Sequence, residues 1–253
     1  MSSSCQFLLR TALLICAASL ASPAASPAAE PPGALNGEAL AAHPETPESA
    51  RRLIEQALAL STRGLRYLYG SADPTRGGMD CSGTIHHLLV SCGWRNVPRQ
   101  ANTLYAWLWQ HSRFHAVNSL RSDSFEFAHL RPGDLLFWSG TYDIRREPPV
   151  THVMLYLGRR AADGRPVMFG ASEGRTYEGK SRSGVGVFDF VLPRPGSTAR
   201  FLGYASLPAP EAPATGPTEP GSNSSESASS PPAPGGENPP APPGGIASPD
   251  AAP

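Results

Sequence analysis

Apolar positions in the first half of the chain recur at helical spacing. Leu53, Ile54, Ala57, Leu58 and Leu60 form one such face. Thr46-Pro47-Glu48 ahead of it predicts a helix start, with Thr46 as N-cap, Pro47 at the first helical position and an acid in the first turn; Gly64 closes the segment. Ile85, Leu88, Leu89 and Cys92 form a second face between Asp80, a good N-cap, and Gly93, a good C′ residue, which suits three helical turns. Leu104, Trp107 and Leu108 mark a third helix over about 102–111. From residue 130 the pattern changes to short apolar runs, at 135–138, 151–157, 166–172, 186–191 and 200–206. Helices followed by strands on short connections predict an α+β domain over 48–207, with N-terminal helices and a mainly antiparallel sheet of five or six strands.

The two ends read differently. Residues 1–24 have the form of a secretory signal: Arg10, an apolar run over 13–20, and small residues around Ser22-Pro23-Ala24. That run is too short to span a bilayer. Ile15 stands before Cys16 where a lipoprotein signal has a small residue, which argues against Cys16 as a lipid anchor. Residues 25–47 are rich in Ala and Pro and are expected to be a linker. Residues 208–253 hold half of the chain's 28 prolines, no Lys or Arg, and Ile246 as their one large apolar side chain. Such a stretch buries too little to offset its chain entropy, so a disordered tail is expected.

Charge narrows the partners. The formal net charge is zero and no basic run occurs, so a nucleic-acid partner is not expected. No other stretch is long enough for a transmembrane helix. A secreted protein, or one of the periplasm or cell envelope, is the expected class, as a monomer.

Cys81 carries the candidate chemistry. It sits in the first turn of the expected second helix, where unpaired N–H groups and the positive end of the helix dipole favour a thiolate. A small buried hydrophobe is the plainer reading of a lone cysteine. Its neighbours Asp80, Ser82 and Gly83 argue against that, whereas Cys92, on the apolar stripe, reads as core. On one helix the two cysteines lie about 16 Å apart, beyond the roughly 7 Å that a disulfide spans. Cys81 is therefore expected to stay free.

A nucleophilic thiol needs a base, and the chain has seven histidines. His43 falls in the linker. His86 and His87 are not at the i+3 or i+4 spacing from Cys81. His111, His115 and His129 lie in polar surroundings. His152 opens an apolar strand after the long polar loop of 139–149, a good mount for a general base, although a structural histidine would look the same.

Five strings now fall into one order: Tyr67-Leu68-Tyr69-Gly70, Asp80-Cys81-Ser82-Gly83, Pro98-Arg99, Pro132-Gly133-Asp134-Leu135, and His152-Val153-Met154-Leu155-Tyr156-Leu157-Gly158. This order resembles the NlpC/P60 family of cell-wall cysteine peptidases, whose pattern runs Y-x-x-G, D-C-S-G, P-R, P-G-D-L, H-V-x-I-Y-x-G. The resemblance implies a papain-like α+β fold in which the Cys81 helix packs on the sheet bearing His152. It implies Cys81 as nucleophile and His152 as base. The N–H of Cys81 and the hydroxyl of Tyr67 would stabilise the oxyanion, and Asp80, Ser82 and Arg99 would hold the substrate or the loop. The implied substrate is the peptidoglycan stem peptide, often cut at the γ-D-glutamyl bond to diaminopimelate, and no metal or organic cofactor is implied. One position departs from the family. The I-H-A-S pattern that usually places a third polar residue reads Phe169-Gly170-Ala171-Ser172 here. A water, Ser172 or Glu173 then takes that role, or the pair works unsupported; Ser172 is the first choice. Two other functions stay open: an amidase or acyltransferase using the same Cys–His pair, and a catalytically silent wall-binding module.

Overall fold

The structure, a computed structural model, describes residues 35–111 and 113–210. The expected signal segment, the first part of the expected linker and nearly all of the expected tail lie outside the described residues. The elements run α1 (Glu48–Ser61), β1 (Arg66–Tyr67), β2 (Gly78–Met79), α2 (Cys81–Ser91), α3 (Ala101–Gln110), β3 (Phe114–Ala116), β4 (Leu135–Ser139), β5 (Val150–Arg159), β6 (Pro166–Tyr177), β7 (Lys180–Asp189) and β8 (Arg200–Ala205).

The three helices form where their apolar stripes predict them. Helix α1 buries Leu53, Ile54, Ala57, Leu58 and Leu60. It starts one residue later than expected, with Pro47 at the N-cap position and no side-chain cap. Thr46 is buried instead, and its carbonyl accepts from the Arg51 guanidinium at 3.1 Å. Helix α2 is capped by Asp80 and ends at Cys92, after which Gly93 takes φ of +99°.

Strands β3 to β8 form one six-stranded sheet in the order β3-β8-β4-β5-β6-β7, with every neighbouring pair antiparallel. A second, two-stranded parallel pair joins β1 to β2. Helices α2 and α3 lie on β5, and α1 lies on β6 and β7. Leu135, Phe137, Val153, Leu155 and Phe169 face these helices. Leu136, Trp138, Met154, Tyr156 and Met168 face the other way, under Phe127, Leu130 and Phe201. Burial of both faces explains why β4 and β5 read as continuous apolar runs rather than alternating ones.

Three features exceed the sequence reading, two of them in the sheet. Strand β3 is three residues long at an edge, too short to show a period. Strands β6 and β7 each extend beyond the expected runs, because the far part of their hairpin is polar and exposed. Its turn is Glu178-Gly179, both with positive φ, between the paired Tyr177 and Lys180. Ahead of α1, Leu35 and Leu40 pack against the core, and the Ala41 N–H donates to the Arg159 carbonyl at 2.7 Å.

Gly170 has a steric reason. A Cβ there would lie 2.4 Å from the Sδ of Met154, which reaches across from β5. The position where the family carries a polar side chain is thus filled by a thioether. Gly170→Ala is expected to lower the unfolding free energy by about 1–3 kcal/mol through overpacking, read from urea denaturation. An unchanged midpoint would mean that Met154 moves aside without cost.

Candidate functional site

The site is assembled around Asp80, at the junction of β2 and α2. Its Oδ1 accepts the N–H of Gly83 at 2.6 Å and caps the helix. Its Oδ2 accepts the N–H of Gly70 at 2.8 Å. The Arg99 guanidinium clamps both oxygens, at 3.1 and 3.0 Å, and also reaches the Ser82 hydroxyl at 3.1 Å. Three of the five sequence motifs are therefore tied to one carboxylate. The close fit leaves no room at Gly83, where a Cβ would sit 2.1 Å from the Ser71 carbonyl oxygen and 2.7 Å from Arg99 Nη2.

This assembly places Cys81 at the start of α2, 6 % exposed, with Sγ 3.9 Å from the carbonyl oxygen of Thr151. Thr151 precedes His152, so the helix start abuts the strand that carries the imidazole. His152 itself lies on the opposite face of the sheet from α2, paired across β4 with Trp138, whose ring is 5.7 Å from its own. It is 7 % exposed, and its Nε2 is buried with no hydrogen-bond partner.

Burial governs both groups. It pushes the Cys81 thiol up to about 11, helped by the Asp80 charge and opposed by the backbone N–H groups of Val153, Ser82 and Cys81. The expected bias of the helix start toward a thiolate is outweighed here by desolvation. Burial also lowers His152 well below the usual histidine value, and the Arg175 charge acts in the same direction. The free site therefore holds a neutral thiol and a neutral imidazole.

Two cavities flank these groups. One, of about 360 Å³, is lined by Asp80, Cys81, Ser82, Arg99 and Thr151. The other, of about 730 Å³, is lined by Trp138, His152, Ser172, Glu173 and Arg175. Tyr67, Tyr69 and Tyr142 line both. Burial, then the charges that an ionised Cys81 and Asp80 carry where the phenol would titrate, raises Tyr67 above its ordinary value, so it stays a donor. Every sequence-named residue is thus at one of the two cavities, and Tyr67 bridges them. Ser172, 6 % exposed, shares a cavity with His152 but does not bond its Nε2. Among the described residues no cluster of three or more His, Cys, Asp or Glu is placed to hold a metal ion.

Arg175 is the residue that the sequence reading missed. Its guanidinium lies 4.5 Å from the centre of the Trp138 ring. Strict alternation along β6 would turn Arg175 away from the His152 face. The register slips between Glu173 and Arg175, however, where Gly174 takes φ of +79°. That bulge inserts one residue and returns Arg175 to the face of Ser172. A lone glycine inside a strand pattern is the signal that could have revealed it.

Residues 64–182 match the NlpC/P60 family. A Staphylococcus aureus protein described as similar to lipoprotein, NLP/P60 family, aligns over 69 % of this chain and 43 % of its own, at 22 % identity and a TM-score of 0.42. A Bacillus cereus NlpC/P60 family protein aligns over 63 % of this chain and 40 % of its own, at 22 % identity and a TM-score of 0.37. The chain spans less than half the length of these two solved structures. Among curated proteins no sequence matches it. No helix of the described residues is long and apolar enough to cross a membrane. The match carries the motifs that Asp80 gathers and the strand of His152, and it makes residues 64–182 an NlpC/P60 domain, of a family whose members are generally cell-wall peptidases.

Proposed function

We propose that the chain is a secreted cysteine endopeptidase of peptidoglycan stem peptides, with the γ-D-glutamyl bond to diaminopimelate as its target. In this reading residues 1–24 direct export, 48–207 carry the activity, and 208–253 act as a spacer. The observation that carries it is the seating of Cys81 Sγ at the Thr151 carbonyl, one residue from His152, with Tyr67 lining the cavities on both sides.

With both groups neutral, the proton passes from Sγ to the His152 imidazole as sulfur attacks the scissile carbonyl. The oxyanion that forms accepts from the Cys81 N–H and the protonated Tyr67 hydroxyl. The imidazolium then protonates the departing amine, and water, deprotonated by His152, cleaves the thioester. Asp80, Ser82 and Arg99 hold the helix start and its loop in place for this sequence. A silent wall-binding module is the second reading, favoured by the absence of any partner on His152 Nε2. An amidase or acyltransferase would use the same steps with another acyl donor or acceptor.

Purified peptidoglycan incubated with the chain is expected to release stem-peptide fragments, identified by mass. Cys81→Ala is expected to lower release by at least about a thousandfold. Equal release by the mutant would overturn the peptidase reading, and no release by either protein would favour the silent module.

The neutral pair predicts a distinctive pH response. Below the raised value of about 11 the reactive thiolate is a minor form that grows with pH. Iodoacetamide alkylation of the Cys81 peptide, followed by mass spectrometry, is expected to rise about tenfold per pH unit from roughly 7 to 10. A plateau setting in near 8.5 would mean an ordinary thiol. Because His152 is lowered, it stays neutral at pH 7, and its acid limb of hydrolysis is expected well below about 6.5.

A further inference from the structure

The cavity on the His152 side contains polar groups that the protein leaves without partners. Arg175 is packed face-on over Trp138, and no carboxylate among the described residues forms an ion pair with it. The indole Nε1 of Trp138, whose side chain is fully buried, has no hydrogen-bond partner, and neither has His152 Nε2. All three residues line the same 730 Å³ space. Native interiors pair nearly all such groups. An unpartnered guanidinium beside a buried indole N–H is an arrangement that lacks an anion. Arg99, which lines the thiol's cavity, is already spent, since it is clamped to Asp80 at 3.0 Å.

We propose that this cavity is a carboxylate-binding subsite, in which the Arg175 guanidinium, seated on the Trp138 ring, grips an acidic group on the amine side of the scissile bond. The planar guanidinium suits a carboxylate, which it takes through two parallel N–H donors. The side follows from the sheet. Arg175 shares a face with His152, the residue that hands its proton to the departing amine, whereas the thiol lies toward the opposite face. The assignment rests on the peptidase reading for its direction but not for the existence of the site. Burial lowers Arg175 to about 10, so it remains a cation at neutral pH and meets the acid as a full charge. A bound carboxylate would also offset the charge that the structure sets against protonation of His152.

Two γ-glutamyl peptides test this, identical except that the residue after the scissile bond ends in a free carboxylate or a primary carboxamide. The acid is expected to be cleaved with a kcat/KM at least about tenfold higher, mostly through KM. Arg175→Gln is expected to bring the ratio close to one, and Arg175→Lys to keep part of it, with thermal melting confirming that each variant folds. Equal kcat/KM on the two peptides in the unaltered chain would overturn the subsite while leaving the peptidase reading intact. Calorimetric titration of the same two peptides into Cys81→Ala separates the reverse case. Tighter binding of the acid, lost in Cys81→Ala/Arg175→Gln, would support the subsite even if neither peptide were cleaved. Equal or absent binding of both peptides would overturn it.

Discussion

The carboxylate of Asp80 offers several acceptor positions, and the chain fills them from three separate stretches: the Gly70 turn, the first turn of α2, and the Arg99 guanidinium. Each partner would be unsatisfied or misplaced without it. The helix start would lose its cap, and the Arg99 guanidinium beside it would lose its counter-charge. The position of Cys81 therefore depends on Asp80 more than on its own contacts. This dependence also explains why Gly83 tolerates no side chain: the Ser71 carbonyl and Arg99 close in on it as they converge on the same carboxylate.

The electrostatics on the two sides of the site differ in kind. On the thiol side charges are matched, Asp80 against Arg99. On the imidazole side a cation stands over an indole and forms no ion pair with any carboxylate among the described residues. A third polar residue that accepts a hydrogen bond would favour the imidazolium; Arg175 does the opposite. The resting site is thus held neutral by burial on both sides, with the Arg175 charge adding to it on the imidazole side.

Much of this was legible in the sequence. Asp80, Cys81, Gly93 and the stripe between them gave α2 nearly to the residue, because capping and periodicity act locally. The apolar runs of β4 and β5 were equally plain, since burial on both faces leaves few polar interruptions. What stayed hidden was what depends on pairing across the sheet. The length of the β6–β7 hairpin is set by backbone bonds between polar residues, which carry no hydrophobic period. Arg175 reached the site only through a one-residue slip in register. The protonation state of Cys81 was misjudged for a related reason: the helix start was visible, but the depth at which the sheet buries it was not.

Gly170 and Met154 occupy one volume between them, and this constrains how such a site can change over generations. A polar side chain at position 170 would have to displace the thioether that already fills the space. Trimming residue 154 first would open a void in a fully buried layer, with the loss of packing that voids entail. An orienting polar group and a packed thioether thus compete for the same space, and gaining the one means displacing or trimming the other.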